Sequence, residues 1–104
     1  KIMEVRLQRL DLYEVEAIQF DGTNSDEVCQ FMMEREPETE IEGALIHRGQ
    51  NRKMMMTVVF RSGGTMCLGN KEWLAYNETP YGNQSHFFIM SNEERKDRFK
   101  VEEE

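Results

Sequence analysis

One segment of the chain has strong helical periodicity, and β-type sequence flanks it on both sides. Three apolar residues at helical spacing are expected to face the core, namely Val28, Phe31 and Met32. Asn24, with Glu27 three residues later, predicts a capping box at the start of this helix. Pro37 cannot continue a helix, so the segment is expected to end at about Arg35. A single helix between strands excludes an all-helical fold.

Short β-type segments make up most of the remaining chain. Residues 14–20 form the clearest of them and place Glu14 and Glu16 on one side, while residues 2–10 suit a strand or an extended arm. From Gly43 onward, turns that contain glycine or asparagine separate further predicted strands. These strands span residues 44–48, 53–61, 65–68, 72–76 and 86–90, with a loop over residues 77–84.

The end of the chain predicts a second, shorter helix. Ser91 with Glu94 forms another capping box, which opens a helix over residues 92–99. Residues 101–104 are expected to be a frayed acidic tail. The prediction is therefore a single α+β domain over residues 1–104. Its antiparallel sheet has five or six short strands, one main helix packs on the sheet, and a short helix lies at the C-terminal end.

The charge balance excludes some classes of partner. The chain has 104 residues with 20 acidic and 13 basic side chains, for a formal net charge of −7. A direct nucleic-acid binder needs a basic surface, so this class is not expected. No apolar run approaches the roughly 20 residues that a membrane-spanning helix needs, so a membrane partner is not expected either.

The residues that carry catalytic or metal chemistry form no recognisable pattern. Cys29 and Cys67 lie far apart in the sequence, fit no metal-ligand spacing and sit in apolar stretches. They are expected to be buried free thiols in a reducing compartment. His47 and His86 have no partner at zinc-site spacing and are expected on strands near the surface. With no nucleophile–base set in view, the sequence predicts a protein that is not an enzyme and has no cofactor and no metal.

A row of alternating glutamates follows the main helix. Its members are Glu34, Glu36, Glu38, Glu40 and Glu42. Pro37 interrupts any helix there, so much of the stretch is expected to be extended, with alternate carboxylates about 6.6 Å apart. Such a row imitates the charges of a phosphodiester strand, so these five residues are the candidate partner-binding site of a DNA mimic. The alternative is a solvated acidic loop with no partner.

Methionine is frequent, and three of the eight methionines are consecutive at residues 54–56. Successive side chains on a strand point to opposite faces, so this strand is expected to be partly apolar on both faces. A helix or a second subunit is then needed to cover the second face. The interpretations left open are a core that also makes a homodimer contact and a pure core.

Several segments together resemble a known family. They read VEAIQFDG at residues 15–22, GNKEWL at residues 69–74, FFIMS at residues 87–91 and EERKDRF at residues 93–99. This pattern is similar to a recurring small protein family of phages and prophages of Gram-positive bacteria, although this chain has an extra residue before Trp73. The resemblance implies a phage origin and a cytoplasmic location in an infected bacterium. It implies no particular chemistry, because the role of the family is largely undefined.

These observations lead to one functional prediction with two alternatives. The chain is expected to be a phage-encoded binding protein that inhibits host machinery, specifically an anti-defence inhibitor of the anti-CRISPR type. Its partner would be a host protein with a basic nucleic-acid-binding surface, such as a CRISPR effector nuclease. The first alternative is a self-associating structural or accessory phage protein with no host target. The second is a nucleotide sponge that uses Trp73, Tyr76 and Tyr81 near the loop at residues 77–84.

Overall fold

The computed structural model of the chain describes residues 4–9, 14–49, 51, 53–78 and 86–101. This part of the chain contains eight strands and two helices. In chain order they are β1 (Val5–Arg9), β2 (Glu14–Gln19), α1 (Ser25–Arg35), β3 (Ile41–Arg48), β4 (Met54–Phe60), β5 (Thr65–Gly69), β6 (Trp73–Tyr76), β7 (Phe87–Met90), α2 (Asn92–Arg98) and β8 (Phe99–Val101). No helix in this described part is long and apolar enough to cross a membrane.

The strands form two antiparallel sheets. The larger has five strands in the order β7-β6-β2-β1-β8, and the smaller has three in the order β3-β4-β5. The predicted α+β class, antiparallel pairing, main helix and short C-terminal helix are confirmed. β2 is the central strand of the larger sheet and pairs with β6 on one side and with β1 on the other. β3, β4 and β5 form a separate meander, which packs on one face of the larger sheet.

The main helix begins and ends as predicted, and its three expected core residues are buried. The predicted capping box at Asn24 is wrong, because its side chain makes no capping hydrogen bond to the helix. The Asn24 side chain instead accepts a hydrogen bond from the Asp21 N–H and donates one to the Gln19 carbonyl, each at 2.9 Å. These backbone groups lie at the end of β2, and Asn24, which is 1% exposed, satisfies them in the interior.

The second capping box is confirmed. The Glu94 N–H donates to the Ser91 hydroxyl, and the Ser91 N–H donates to the Glu94 carboxylate. The helix stops at Arg98, and the chain then forms β8, which lies where the last helical residue and the start of the tail were expected. Phe99 is 5% exposed and pairs with Arg9 of β1. Burial of its side chain favours this strand conformation over an extension of the helix by one residue. The predicted tail at residues 102–104 lies outside the described residues.

The core has two clusters, one on each face of the five-stranded sheet. The first packs this sheet against α1 and the three-stranded sheet, and it contains Ile18, Phe20, Val28, Phe31, Met32, Met56, Val58, Leu68 and Leu74. The second contains Leu7, Val15, Ala17, Trp73, Ala75, Met90 and Phe99. Alternation along β2 sends Ile18 into the first cluster and Ala17 into the second. Both faces of the central strand are therefore buried, and its two acidic residues, Glu14 and Glu16, lie in its first half.

Candidate protein-binding surface

The predicted row of glutamates does not form an evenly spaced extended strand. Glu34 lies in the last turn of α1, and Glu36 is the residue that ends this helix. The Thr39 N–H donates to the Glu36 carbonyl at 2.9 Å, which closes a turn around Pro37. The chain must reverse direction between α1 and β3, and this turn breaks the regular spacing. Only Glu42 lies within a strand among the five candidates.

Arg35 organises the carboxylates at the end of α1. Its guanidinium contacts Glu4 at 2.9 Å, Glu16 at 3.2 Å and Glu34 at 3.8 Å. The same group donates to the Phe31 carbonyl at 3.1 Å and lies over the Phe31 ring. The Arg35 side chain is 12% exposed, whereas the three carboxylate side chains are 40–52% exposed. The positive charge is therefore shielded, and the negative charges face solvent.

More carboxylates lie beside this group, around an open depression of about 310 Å³. Its lining includes Glu14, Glu16, Glu78, Tyr76 and Arg6. Burial raises the pKa of the Tyr76 hydroxyl, and the nearby charges of Glu36 and Glu78 raise it further. Together these side chains form what we call the acidic surface, defined as Glu4, Glu14, Glu16, Glu34, Glu36 and Glu78 with Arg6, Arg35 and Tyr76.

An aromatic cluster supports the acidic surface from below. The Tyr76 ring lies 5.0 Å from the Phe87 ring and stacks on His86 at 5.7 Å between centroids. Phe87 lies 6.4 Å from Phe31, which is fully buried. The His86 Nδ1 lies 3.0 Å from the Asn77 carbonyl oxygen. The carboxylates are thus attached to packed strands and to the end of a packed helix, which limits the entropy lost on binding.

The other predicted glutamates lie elsewhere. Glu38 and Glu40 line a second open depression, of about 440 Å³, together with Phe60 and Arg61. Arg61 contacts Glu40 at 3.4 Å, and both side chains are at least 60% exposed. Such a solvated pair contributes little free energy and partly neutralises the local charge. Glu42 lies at a register shift of β3, at the edge of the three-stranded sheet.

Of the aromatic residues predicted for a nucleotide sponge, the two that the structure describes do not form a ligand platform. Trp73 is 7% exposed, its indole N–H donates to the Asn92 side chain at 3.0 Å, and the Arg95 guanidinium lies 5.3 Å from its ring. Tyr76 is surrounded by carboxylates, which repel phosphate groups. Tyr81 lies outside the described residues. Neither Trp73 nor Tyr76 therefore offers an open aromatic face to a nucleotide.

The expectation of two buried thiols is wrong, because Cys67 is exposed and Cys29 is half-buried. Burial raises the pKa of the Cys29 thiol, and the charge of Asp26 raises it further. The Cys67 Sγ lies 3.3 Å from the Thr57 hydroxyl, which is also 2.8 Å from the His47 Nε2. This row faces open solvent on the three-stranded sheet. Over the described residues, no three His, Cys, Asp or Glu side chains are grouped to hold a metal ion.

Sequence reasoning identified two of the six carboxylates of the acidic surface, Glu34 and Glu36. The other four come from separate segments at the start of β1, in β2 and after β6. The sequence contained one indication of two of these four residues, because Glu14 and Glu16 share one side of a predicted strand whose other residues are mostly apolar. Their proximity to the C-terminal end of α1 could not be predicted, because it depends on how the helix packs across the sheet.

No family model, curated protein or solved structure matches this chain.

Proposed function

We propose that this protein is a non-enzymatic binding protein whose acidic surface docks on a basic, nucleic-acid-binding surface of a host protein. The observation that carries this proposal is the arrangement of six carboxylates around the shielded cation of Arg35. The carboxylates outnumber the two guanidinium groups in the same surface, those of Arg6 and Arg35. A positively charged partner is therefore attracted over the whole surface.

A nucleic-acid-binding partner is favoured over other basic proteins because of how the negative charge is presented. A groove for nucleic acid is lined with Arg and Lys side chains that neutralise closely spaced phosphates. Closely placed carboxylates on a rigid support offer the same charge without requiring the partner to change shape. The Tyr76 hydroxyl lies among them and adds a hydrogen-bonding group beside an aromatic surface.

The more specific proposal is a phage anti-defence inhibitor that acts in the cytoplasm of the bacterial host. It would occupy the groove in which an effector nuclease, such as a CRISPR effector, holds nucleic acid. The resemblance of residues 15–22, 69–74, 87–91 and 93–99 to phage proteins supports this setting, and the acidic surface supports the mode of binding. Because the attraction is electrostatic, binding is expected to weaken steeply as salt increases.

A pull-down from bacterial lysate with tagged protein, at low and at high salt, tests the proposal. We expect a basic nucleic-acid-binding protein to be retained at low salt and released at high salt. The variant Glu14→Gln/Glu36→Gln/Glu78→Gln should lower the affinity by about tenfold or more, because it removes charge without touching the contacts of Arg35.

Two control variants remove the same amount of charge elsewhere. Glu38→Gln/Glu40→Gln/Glu42→Gln neutralises the other three members of the predicted row, and Glu27→Gln/Glu93→Gln/Asp97→Asn neutralises exposed helix positions. Both should change the affinity about threefold or less, through net charge alone. Equal losses in all three variants would show that net charge and not the acidic surface determines binding. Binding that is insensitive to salt and to every variant would overturn the proposal.

A further inference from the structure

We infer that Cys67 is a reactive thiol that forms a mixed disulfide with small cationic disulfides, and that His47 accepts its proton through the Thr57 hydroxyl. These three residues, which we call the thiol site, lie on the outer face of the three-stranded sheet. The inference does not depend on the proposed function. It uses a different part of the molecule from the acidic surface, and it concerns one modification of the chain without turnover.

The register of the three-stranded sheet brings the thiol site together. Along β4, Met56 and Val58 are buried, so Thr57 between them points to the outer face. Cys67 on β5 is the direct partner of Thr57 across the strand pair. His47 lies on β3, two residues along from the residue opposite Thr57, and a long side chain spans this diagonal separation. Each strand therefore contributes one member of the site.

The hydrogen bonds of the thiol site have a defined direction. The His47 Nδ1 lies 3.4 Å from the Arg48 carbonyl oxygen, which only accepts, so this nitrogen carries the hydrogen of the neutral ring. Nε2 is then an acceptor, and the Thr57 hydroxyl donates to it at 2.8 Å. Because a hydroxyl donates one hydrogen bond, the Thr57 oxygen accepts from the Cys67 thiol at 3.3 Å. The thiol proton is thus connected to a base.

This arrangement is typical of an activated nucleophile. A thiol becomes nucleophilic when it loses its proton, and a base that a third group orients assists this loss. Here His47 is the base, Thr57 transmits the proton, and the Arg48 carbonyl orients the imidazole ring. Cys29 differs, because it is half-buried on α1, and burial and the charge of Asp26 raise the pKa of its thiol.

Cys67 is open to the approach of a second sulfur atom. It is exposed, and it lies on β5, an edge strand of the three-stranded sheet. Gly69, two residues further along the same face of this strand, has no side chain to cover it. Disulfide exchange needs such access, whereas acyl transfer needs a water-excluded site with donors for an oxyanion. The exposed thiol site therefore fits disulfide exchange.

A negative charge beside the thiol site selects the class of reagent. The Glu72 carboxylate accepts a hydrogen bond from the Gly69 N–H. A Cβ atom on Gly69 would lie 3.1 Å from the Glu72 Oε1, so this carboxylate lies on the face that carries Cys67. Together with the net charge of −7, Glu72 favours a positively charged disulfide over a negatively charged one.

The reaction is a balanced exchange of one disulfide for another. The Cys67 proton moves to the Thr57 oxygen as the Thr57 proton moves to the His47 Nε2. The Cys67 thiolate then forms a bond to one sulfur of the small disulfide, and the S–S bond of that reagent breaks. The leaving thiolate takes up a proton from His47 by the reverse path. Cys67 is oxidised to a mixed disulfide, and the other half of the reagent is reduced to a thiol.

Intact mass spectrometry tests this inference by measuring how fast the purified chain gains one adduct from cystamine, a cationic disulfide, at neutral pH. The parent protein is Cys29→Ser, in which Cys67 is the remaining cysteine. Thr57→Val removes the connecting hydroxyl with little change in size, and His47→Gln removes the base. Each should slow the reaction about tenfold or more.

Two matched variants control for changes at the surface. Thr57→Ser keeps the hydroxyl, so its rate should stay within about threefold of the parent rate. Thr65→Val is the same chemical change at an exposed residue on the same face of β5, and its effect should be equally small. Equal rates in the parent, Thr57→Val and His47→Gln would overturn the inference. A parent that reacts no faster than its urea-unfolded chain would do so as well.

The pH profile distinguishes proton transfer from packing. At about pH 10 free thiols are ionised without a base, so the rates of the parent, Thr57→Val and His47→Gln should converge there. A loss that persists at that pH would show that the substitutions act on the structure alone, and would overturn the role of His47. In Cys67→Ser with Cys29 retained, an adduct that forms at the parent rate would overturn the assignment of the reactive thiol.

Glutathione disulfide, an anionic reagent, tests the charge class. After correction for the reactivity of each reagent with free cysteine, the parent should favour cystamine by about threefold or more. Glu72→Gln, which keeps an acceptor for the Gly69 N–H, should reduce this preference. No preference, or a preference for glutathione disulfide, would overturn the cationic class.

Discussion

The guanidinium carbon of Arg35 lies 3.7 Å from the centroid of the Phe31 ring, so the cation at the centre of the acidic surface rests on the hydrophobic core. Phe31 is fully buried, and its own carbonyl accepts a hydrogen bond from Arg35. A residue that packs on the core therefore also orients the carboxylates of Glu4, Glu16 and Glu34. Stability and surface charge are coupled at this position.

Arg35→Met should destabilise the fold by about 1–3 kcal/mol, as measured by urea unfolding. The substitution keeps an apolar stem over Phe31 but leaves three carboxylates to repel one another. Because those carboxylates are about half exposed, solvent screens much of the repulsion between them, and the predicted loss of stability is modest. Arg61→Met is the control, and it should cost about 0.5 kcal/mol or less because its pair with Glu40 is solvated. Equal effects would contradict the central role of Arg35.

Asn24→Asp and Asn24→Ala should each cost about 2–3 kcal/mol in the free energy of unfolding. Ordinary helix capping would tolerate aspartate, since a carboxylate accepts hydrogen bonds from a helix N-terminus as well as an amide does. Here the Asn24 side chain must also donate to the Gln19 carbonyl, which aspartate does not do in its ionised form. The control is Ser91→Ala, where a capping residue is lost and about 1 kcal/mol is expected. An unchanged free energy of unfolding in Asn24→Asp would indicate that Asn24 acts as an ordinary helix cap, as the sequence predicted.

The Tyr76 titration should report on the charges of the acidic surface. Burial raises the pKa of its hydroxyl, and so do the charges of Glu36 and Glu78. Glu36→Gln/Glu78→Gln should therefore lower this pKa towards its usual value, as followed by ultraviolet absorbance with Tyr76→Phe as the reference. Glu38→Gln/Glu40→Gln is the control and should leave the pKa in place.

The same shift has a consequence for stability at alkaline pH. A raised pKa in the folded state means that the proton on Tyr76 is held more tightly there than in the unfolded chain. This contribution is fully present below the unfolded pKa, near 10, and is lost as the pH rises through the folded value. The wild-type chain should lose more stability than Tyr76→Phe between about pH 9 and pH 12. Parallel pH profiles of the two proteins would contradict the shift.

Lys71→Gly should stabilise the fold by up to about 1 kcal/mol. Lys71 has a φ of +74°, a left-handed conformation that L side chains disfavour, and its side chain is exposed. Its N–H donates to the Phe20 carbonyl, and glycine keeps this backbone hydrogen bond. Lys96→Gly within α2 serves as the control and should destabilise, because glycine weakens a helix interior. A loss of stability in Lys71→Gly would show that the side chain makes a contact of its own.

Local sequence patterns predicted the elements whose bounds depend on neighbouring residues. The periodicity of Val28, Phe31 and Met32 and the break at Pro37 locate α1, and the Ser91–Glu94 capping box locates the start of α2. The capping pattern at Asn24 looked the same in the sequence, yet it predicted the wrong hydrogen bonds. The partner of its side chain is the end of a strand, five residues earlier, and its proximity depends on how β2 leads into α1.

The sequence by itself determined an acidic α+β domain with one main helix, because charge, periodicity and turn residues act over a few neighbouring positions. The tertiary structure alone decided that the strands form two sheets, and that Phe99 leaves a helix to pair with β1. It also decided which carboxylates share a surface: Glu16 and Glu34 meet at Arg35, whereas Glu42 lies apart on the edge strand. Burial of both faces of β2 sets these positions, and burial depends on contacts between residues far apart in the chain.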